Sequence, residues 1–595
     1  MPHSSSARRC RFHLLAIGLL FALLGQIPDA PLQAQTPTTN SAATTAYEGG
    51  LTAIRAGDAA KAQSDFERAV KLSPGNAEMQ LALGQVLLQR GDIDGAITHL
   101  RTAVRLKASV PAGHLALGQA LAAKGSLDDA VAQLQQAVKL APTEAEPRRA
   151  LARVLSLQQK KPEAISEMRA AVAVAPRRPD LHDELGSLLA QNNQVADAER
   201  QFRFALEFDP EYEPARFHLG VALLSAGQPD GAVSELTQAT GLNPKDAMAF
   251  YYLGNAHEAQ GDAAAAILAY QQSAALDANS KEAQKHLGLL LQHTGDLVGA
   301  STAYAKVVEL DPNDPDAHNN LGITLMATGK GNEALKEFQQ AIKLRPEDSG
   351  YRGNLGITYL QLSDFDAAID QLQQAIKLTP DNASLHYDLA LALKLKDKLP
   401  ESMAEMQKAI EFDPKLVDAY YTLGVTLWQQ GEFAEAAVQL RKAVQLKPDY
   451  SEAYYTLGSV LKQLNQLTEA AQALREAIRL QPQFTGAHTN LAAVLRQMGD
   501  TAGADAESQI AGTLVKQKNN LQGATFSTNS GKHMLDVGDL EGAISQFRNA
   551  IRLSPTYAMA HYQLAVALSR KGDKAEAAEE FQKAAELDPK LKPGQ

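Results

Sequence analysis

The chain has 595 residues, 21% of them charged, with a formal net charge of -11 and a single cysteine, Cys10, close to the N-terminus. An acidic surface lacks the clustered Lys and Arg that nucleic acids and anionic membrane surfaces require, so neither is expected as a partner. One cysteine before an export-like segment excludes disulfides, thiol chemistry and zinc clusters from everything downstream.

Residues 1–34 read as a signal peptide. Arg8, Arg9 and Arg11 precede an apolar stretch from Leu14 to Leu24, and Leu32-Gln33-Ala34 is an acceptable cleavage site before Gln35. The apolar run is short of the about 20 residues that a spanning helix needs. The segment therefore predicts an exported protein, periplasmic or secreted, with no membrane insertion after signal cleavage; retention as an uncleaved anchor is the alternative. Losing Arg8, Arg9, Arg11 and Asp29 takes the net charge from -11 to -13 and leaves a cysteine-free chain stabilised by packing alone. Residues 35–42 read as a flexible leader.

From Ala43 onward one 34-residue pattern recurs, best seen as VDAYYTLGVTLWQQGEFAEAAVQLRKAVQLKPDY from Val417 to Tyr450. Two amphipathic segments flank a turn at Gly431, and Pro448 closes the unit. Closing prolines return at Pro74, Pro142, Pro176, Pro210, Pro244, Pro312, Pro346, Pro380, Pro414 and Pro482, every gap being one or two periods. Small residues recur between the two segments, as at Ala300, Ala334, Ala368 and Ala436, where two backbones must approach closely. Glycine, or Asn193, Asp397 and Asn465, ends the first helix, in keeping with a left-handed cap. Fixed register of this kind predicts stacked supersecondary units that cannot bury their apolar faces alone. The expected boundaries are an array of units 1–14 over 43–518, an insertion and hinge at 519–523, units 15–16 over 524–591, and a tail at 592–595.

The skeleton resembles the tetratricopeptide repeat family, whose pattern runs W-x2-L-G-x2-Y, A-x3-F-x2-A, P; Leu321, Gly322, Ala334, Phe338, Ala341 and Pro346 carry the match in one unit. The resemblance implies an all-α fold, a superhelical solenoid of about 16 stacked helix-turn-helix units. It also implies a protein-binding role, with the first helices lining an inner groove. The Trp position holds other residues here, including His114, His182, His318, His386, His488 and His561.

No catalytic constellation is present, so the chain is not expected to be an enzyme and no cofactor is called for. The histidines fall one per unit, which reads as packing rather than metal ligation. Gly531-Lys532 lacks the Gly and Ser/Thr of a phosphate loop, since Phe526 and His533 stand there.

Counting from the residue 31 before each closing proline, positions 2, 6, 9 and 13 share one helical stripe. Position 6 carries Asn320, Asn354, Asp388, Thr422, Thr456 and Asn490, with Asn529 in the next unit. This run resembles the asparagine ladder in the repeat region of O-linked N-acetylglucosamine transferases, here without a catalytic domain. That resemblance implies side chains that hold the backbone of an extended peptide. Ile323, Ile357, Leu391 and Val425 follow at position 9, with Tyr387, Tyr421, Tyr455 and Trp428 alongside. Polar grips beside an apolar, aromatic stripe suit a peptide groove, and Tyr421 and Trp428 are expected as exposed anchors. Packing between neighbouring first helices is the competing explanation. The family's carboxylate clamp is not expected, because Leu289 and Gly350 stand where it needs polar or basic groups. The expected partners are other proteins or peptides; a carbohydrate-handling scaffold is the alternative.

Across Lys518 to Gly523 the period fails. Closing prolines Pro482 and Pro555 are 73 residues apart, Lys516 replaces a closing proline, and Ser508 and Ser530 replace framework apolar residues. A weak junction that bends or opens first is the expectation, through a longer second helix running to about Asn519 and with proteolysis cutting first near Asn519 to Thr528.

Overall fold

The computed structural model describes residues 41–591. The signal segment 1–34, the first residues of the leader and the tail 592–595 lie outside the described residues. Those described form thirty-one α-helices and no strand. Two compact units divide the chain between Asn313 and Asp314. In the first, sixteen helices from Ser41–Arg55 to Leu297–Leu310 make eight pairs; in the second, fifteen helices from Pro315–Ala327 to Lys574–Leu587 make eight more repeats. Ser41 and Ala42, expected in the leader, already belong to the first helix.

The pairing is written in the turn. After Val417–Gln430, Gly431 takes φ 84° and the Glu432 N–H donates to the Leu427 carbonyl at 2.9 Å, satisfying a carbonyl the helix end would leave open. Residues without glycine's freedom do the same where the sequence supplies no glycine: Asn193, Asp397 and Asn465 as expected, and also Gln159 and Ser363, which the sequence did not single out. Their chain reversal is held by the same bond, Lys160 N–H to Leu155 O and Asp364 N–H to Tyr359 O, both 2.9 Å. Second helices then start on an aspartate in several repeats, as where Asp296 accepts from the Gly299 N–H at 2.9 Å.

Within a pair, a glycine of the first helix receives a large side chain of the second, sixteen residues on. A Cβ on Gly50, Gly186 or Gly322 would lie 2.4 to 2.7 Å from a ring atom of Phe66, Phe202 or Phe338, and one on Gly424 would meet Leu440 at 2.7 Å. Beside this contact the recurrent alanine, for example Ala334 or Ala436, is wholly buried. Ser402, the break in that alanine series, is equally buried and donates its hydroxyl to the Ala390 carbonyl at 2.7 Å.

Between pairs, the framework histidine is a clip. His488 places Nδ1 against Glu507 on the second helix of its own repeat and Nε2 3.0 Å from the Pro482 carbonyl of the loop before it. His114, His182, His386 and His561 repeat the arrangement with Gln133, Gln201, Glu405 and Glu580. Each thus ties a closing loop to the following helix pair.

The expected insertion at 519–523 is not a break in the helical structure. Residues Thr501–Asp536 form one helix of 36 residues that serves as second helix of repeat 14 and first helix of repeat 15. The reason is local: Lys516 stands where a proline would stop the helix, and no proline follows before Pro555. Its middle has little to pack on. Residues 512 to 522 contain no buried side chain, and Ser508 is exposed.

Two outcomes follow from these contacts. Gly322→Ala should cost about 1–3 kcal/mol by overpacking against Phe338, and Phe338→Met should recover part of it, as measured by denaturant unfolding; an unchanged midpoint would mean the contact is loose. In hydrogen exchange, residues 512–522 should exchange faster than any other helical segment of the second unit. Protection equal to that of Val417–Gln430 would show a rigid junction.

Candidate functional site

All fourteen candidate groove residues fall in the second unit, on six consecutive first helices. Asn320 and Ile323 stand on Pro315–Ala327, Asn354 and Ile357 on Ser349–Gln361, and Tyr387, Asp388 and Leu391 on Ala383–Leu395. Tyr421, Thr422, Val425 and Trp428 stand on Val417–Gln430, Tyr455 and Thr456 on Ser451–Gln463, and Asn490 on Thr485–Gln497. All but Thr456 are half-buried, and Asn529, further along, is exposed.

The polar series is a set of couplings between neighbours rather than a row of free amides. Asn354 Nδ2 donates to Asn319 Oδ1 at 2.8 Å, Asn490 Nδ2 to Ser459 Oγ at 2.8 Å, and the Tyr387 and Thr422 hydroxyls are 3.2 Å apart. Thr456 is buried and donates to the Glu452 carbonyl of its own helix, so it is removed from the gripping set. Asp388 stands apart: it has no hydrogen-bond or ionic partner among the described residues, and burial pushes its carboxyl up to about 6.

The expectation that Tyr421 and Trp428 are exposed anchors is corrected. Both are half-buried and pack against the core of repeats 12 to 14. The ring of Tyr421 lies 4.8 Å from that of Tyr450, and Tyr455 lies 4.6 Å from Phe484, so each position-5 tyrosine meets the residue that opens the next first helix. That residue is a side-chain cap in some repeats and not in others. Asp314, Asp348 and Asn382 accept N–H bonds at the starts of repeats 9, 10 and 11, whereas Leu416, Tyr450 and Phe484 make no side-chain cap in repeats 12, 13 and 14. Burial, and after it the neighbouring Tyr421, Asp418 and Glu452, push the Tyr450 phenol up to about 12.

Sequence reasoning missed a charged network between neighbouring first helices in the first unit. Arg149 and Arg153 both hold Glu184, the latter with Nε to Oε2 at 3.0 Å, and the His218 ring meets Asp183 at 2.7 Å. Burial raises the Glu184 carboxyl, but the two guanidiniums more than reverse this and leave it below the usual range. The signal was available as register: Arg149 to Glu184 and Asp183 to His218 share the 35-residue offset of Asn319 to Asn354 and Tyr387 to Thr422. Among the described residues no group of His, Cys, Asp and Glu is arranged to hold a metal ion, and no helix is long and apolar enough to cross a membrane.

Asp388 gives a pH-dependent outcome. Its folded-state pKa lies above the unfolded value of 3.8, so the native state binds the proton more tightly and the ionised form costs stability above about pH 6. Stability from this group therefore rises as pH falls from 7 towards 4. Asp388→Asn should stabilise the chain at pH 7 by on the order of 1 kcal/mol, allowing for solvent screening, with the gain shrinking by pH 5. Thermal melts at the two pH values read it, and a gain independent of pH would assign the effect to something other than the charge.

Comparison with known proteins places these repeats. Models described as "Tetratricopeptide repeat" match residues 47–111, 184–236, 217–283, 421–483 and 529–591, and further ones of that description match 315–348 and 111–154. A "TPR repeat" model matches 293–329, 356–397 and 393–431. No curated protein matches the chain. Among solved structures, the chain is similar to the APC/C hetero-tetramer Cut9-Hcn1 at 15% identity and a TM-score of 0.35, over 76% of this chain and 97% of that one. YrrB, "a TPR protein with an unusual peptide-binding site", aligns at 24% identity and a TM-score of 0.28, over 30% and 92%. MamA from Desulfovibrio magneticus RS-1 aligns at 22% identity and a TM-score of 0.27, over 29% and 96%.

Proposed function

The chain belongs to the tetratricopeptide repeat family, and from that premise we propose that it is an exported, non-enzymatic scaffold. It binds other proteins by holding an extended peptide segment against the first helices of repeats 9 to 14. The observation that carries this reading is a half-buried strip along consecutive first helices, with polar groups at position 6, Ile323, Ile357, Leu391 and Val425 at position 9 of repeats 9 to 12, and Tyr387, Tyr421 and Tyr455 at position 5 of repeats 11 to 13. A main chain laid along such a strip meets related chemistry in successive repeats, which suits a strand-like peptide better than a compact ligand. The position-6 side chains support it partly as inter-repeat couplings, so side-chain pockets carry more of the binding than an amide ladder would.

Trp428 is the only tryptophan in the sequence, so its fluorescence reports on repeat 12 without labelling. Display selection of random 12-residue peptides on the full chain should yield binders that shift Trp428 emission and that lose about fivefold or more in affinity to I357Q/V425Q, a neutral change at two half-buried positions. Selected peptides that leave the emission unchanged and bind the variant equally would refute the groove assignment. Glycan binding that survives competition by those peptides would favour the carbohydrate role instead.

A further inference from the structure

The aromatic strip across repeats 11 to 13 has a chemistry that narrows the ligand. Tyr387, Tyr421 and Tyr450 are half-buried, and Tyr421 and Tyr450 are in ring contact at 4.8 Å. Three carboxylates stand in their electrostatic reach: Asp388 and Asp418 act on the Tyr387 phenol, and Asp418 and Glu452 on that of Tyr450. Asp418 and Glu452 are exposed, Asp388 is half-buried, and none of the three has a basic partner among the described residues. Carboxylates elsewhere in the same unit do find cations, as in Asp316 with Arg345, Asp366 with Lys396 and Glu469 with Arg441.

One cation already uses a ring of the strip. Lys447 Nζ lies 4.7 Å from the centroid of Tyr450, the distance at which an ammonium is held by the negative face of an aromatic ring. The basic side chains on the same first helices, Lys394 and Lys462, sit six and ten residues beyond Asp388 and Glu452, towards the helix ends. At the start of the helices, where the rings are, the three carboxylates outnumber Lys447, the cation recorded against a ring of the strip.

We propose, resting on the peptide-groove reading, that this strip selects a basic segment of a partner protein, taking a Lys or Arg side chain between the tyrosine faces and the carboxylates Asp388, Asp418 and Glu452. Ring faces attract the cation while the carboxylates supply charge-assisted hydrogen bonds. An acidic segment would be repelled, and a neutral one would gain only apolar contact.

The test uses the full chain and three fluorescein-labelled peptides, three repeats of Gly-Arg-Ser-Leu and its versions with Gln or Glu for Arg, titrated by anisotropy in 0.15 M salt. The Arg peptide should bind about tenfold tighter than the Gln peptide, and the Glu peptide more weakly still. D388N/D418N/E452Q should abolish that preference. E333Q/E401Q/E435Q, which removes the same charge from exposed positions of second helices, should keep it. Melting curves confirm that both variants fold. Equal binding of the Arg and Gln peptides, or equal loss in the two variants, overturns the proposal by reducing it to the general acidity of the chain. No binding by any of the three also overturns it. The peptide-groove reading is decided separately by display selection, which requires no charge in the peptide.

Discussion

Twelve of the sixteen helix pairs depend on a contact that only a missing Cβ allows. The glycine of the first helix lets a phenyl, tyrosyl or leucyl group of the second lie directly on its backbone, and a methyl there would sit inside the van der Waals distance of the partner. The four repeats that carry alanine at that position show how the constraint is met otherwise. Ala152 and Ala390 face methionines, Met168 and Met406, which are wholly buried and flexible enough to pack around a methyl. Ala565 leaves its partner position, Phe581, only half-buried, and Ala492, itself buried, is matched with Ser508, which is exposed. Repeat 11 departs twice, since Ser402 replaces the buried alanine and donates to the carbonyl of the same Ala390. Its two deviations compensate each other across one interface.

A stack of such pairs coheres only through contacts to the next pair, because no residue of one repeat reaches beyond its neighbours. Polar clips reinforce the apolar contacts at two places. On one side the framework histidine, or Arg216 in repeat 6, reaches the carbonyl of the preceding loop and an acidic or amide group of its own second helix. Between neighbouring first helices, position 5 of one repeat meets position 6 of the next. Where both clips are missing, around residues 512–522, the chain substitutes a continuous helix for an interface. A helix satisfies its own backbone without tertiary help, which is why this segment stays ordered while burying so little.

The fold was legible because its controlling residues act locally. Glycine at the turn, alanine at the crossing and proline at the close each answer a backbone requirement that depends on position in the repeat alone. Gln159 and Ser363 escaped because their left-handed conformation is imposed by a neighbour's hydrogen bond and not by their own preference. The long helix was only half legible: the missing proline was visible, but an insertion of five residues reads equally as loop or helix until the helix on either side is known to continue through it. The site was less legible than the fold. Position 6 was read as a row of ligand-facing groups from residue type, whereas the geometry spends Asn354, Thr422 and Asn490 on neighbouring helices and Thr456 on its own. Residue type fixes what a side chain can bond to; the register between repeats decides which partner is nearer.

The aromatic openings of repeats 13 and 14 are informative because they gain little as structure. Replacing a capping Asp or Asn by Tyr450 or Phe484 gives up a hydrogen bond worth about 1 kcal/mol. The ring contacts that replace it, Tyr421 with Tyr450 and Tyr455 with Phe484, are worth about 0.5–1.5 kcal/mol beyond burial. The exchange is close to neutral for stability, so stability does not explain why it occurs in two adjacent repeats. Tyr212 and Tyr557 also open first helices without a cap, so what sets repeats 13 and 14 apart is that the opening ring lies against a tyrosine of the preceding repeat.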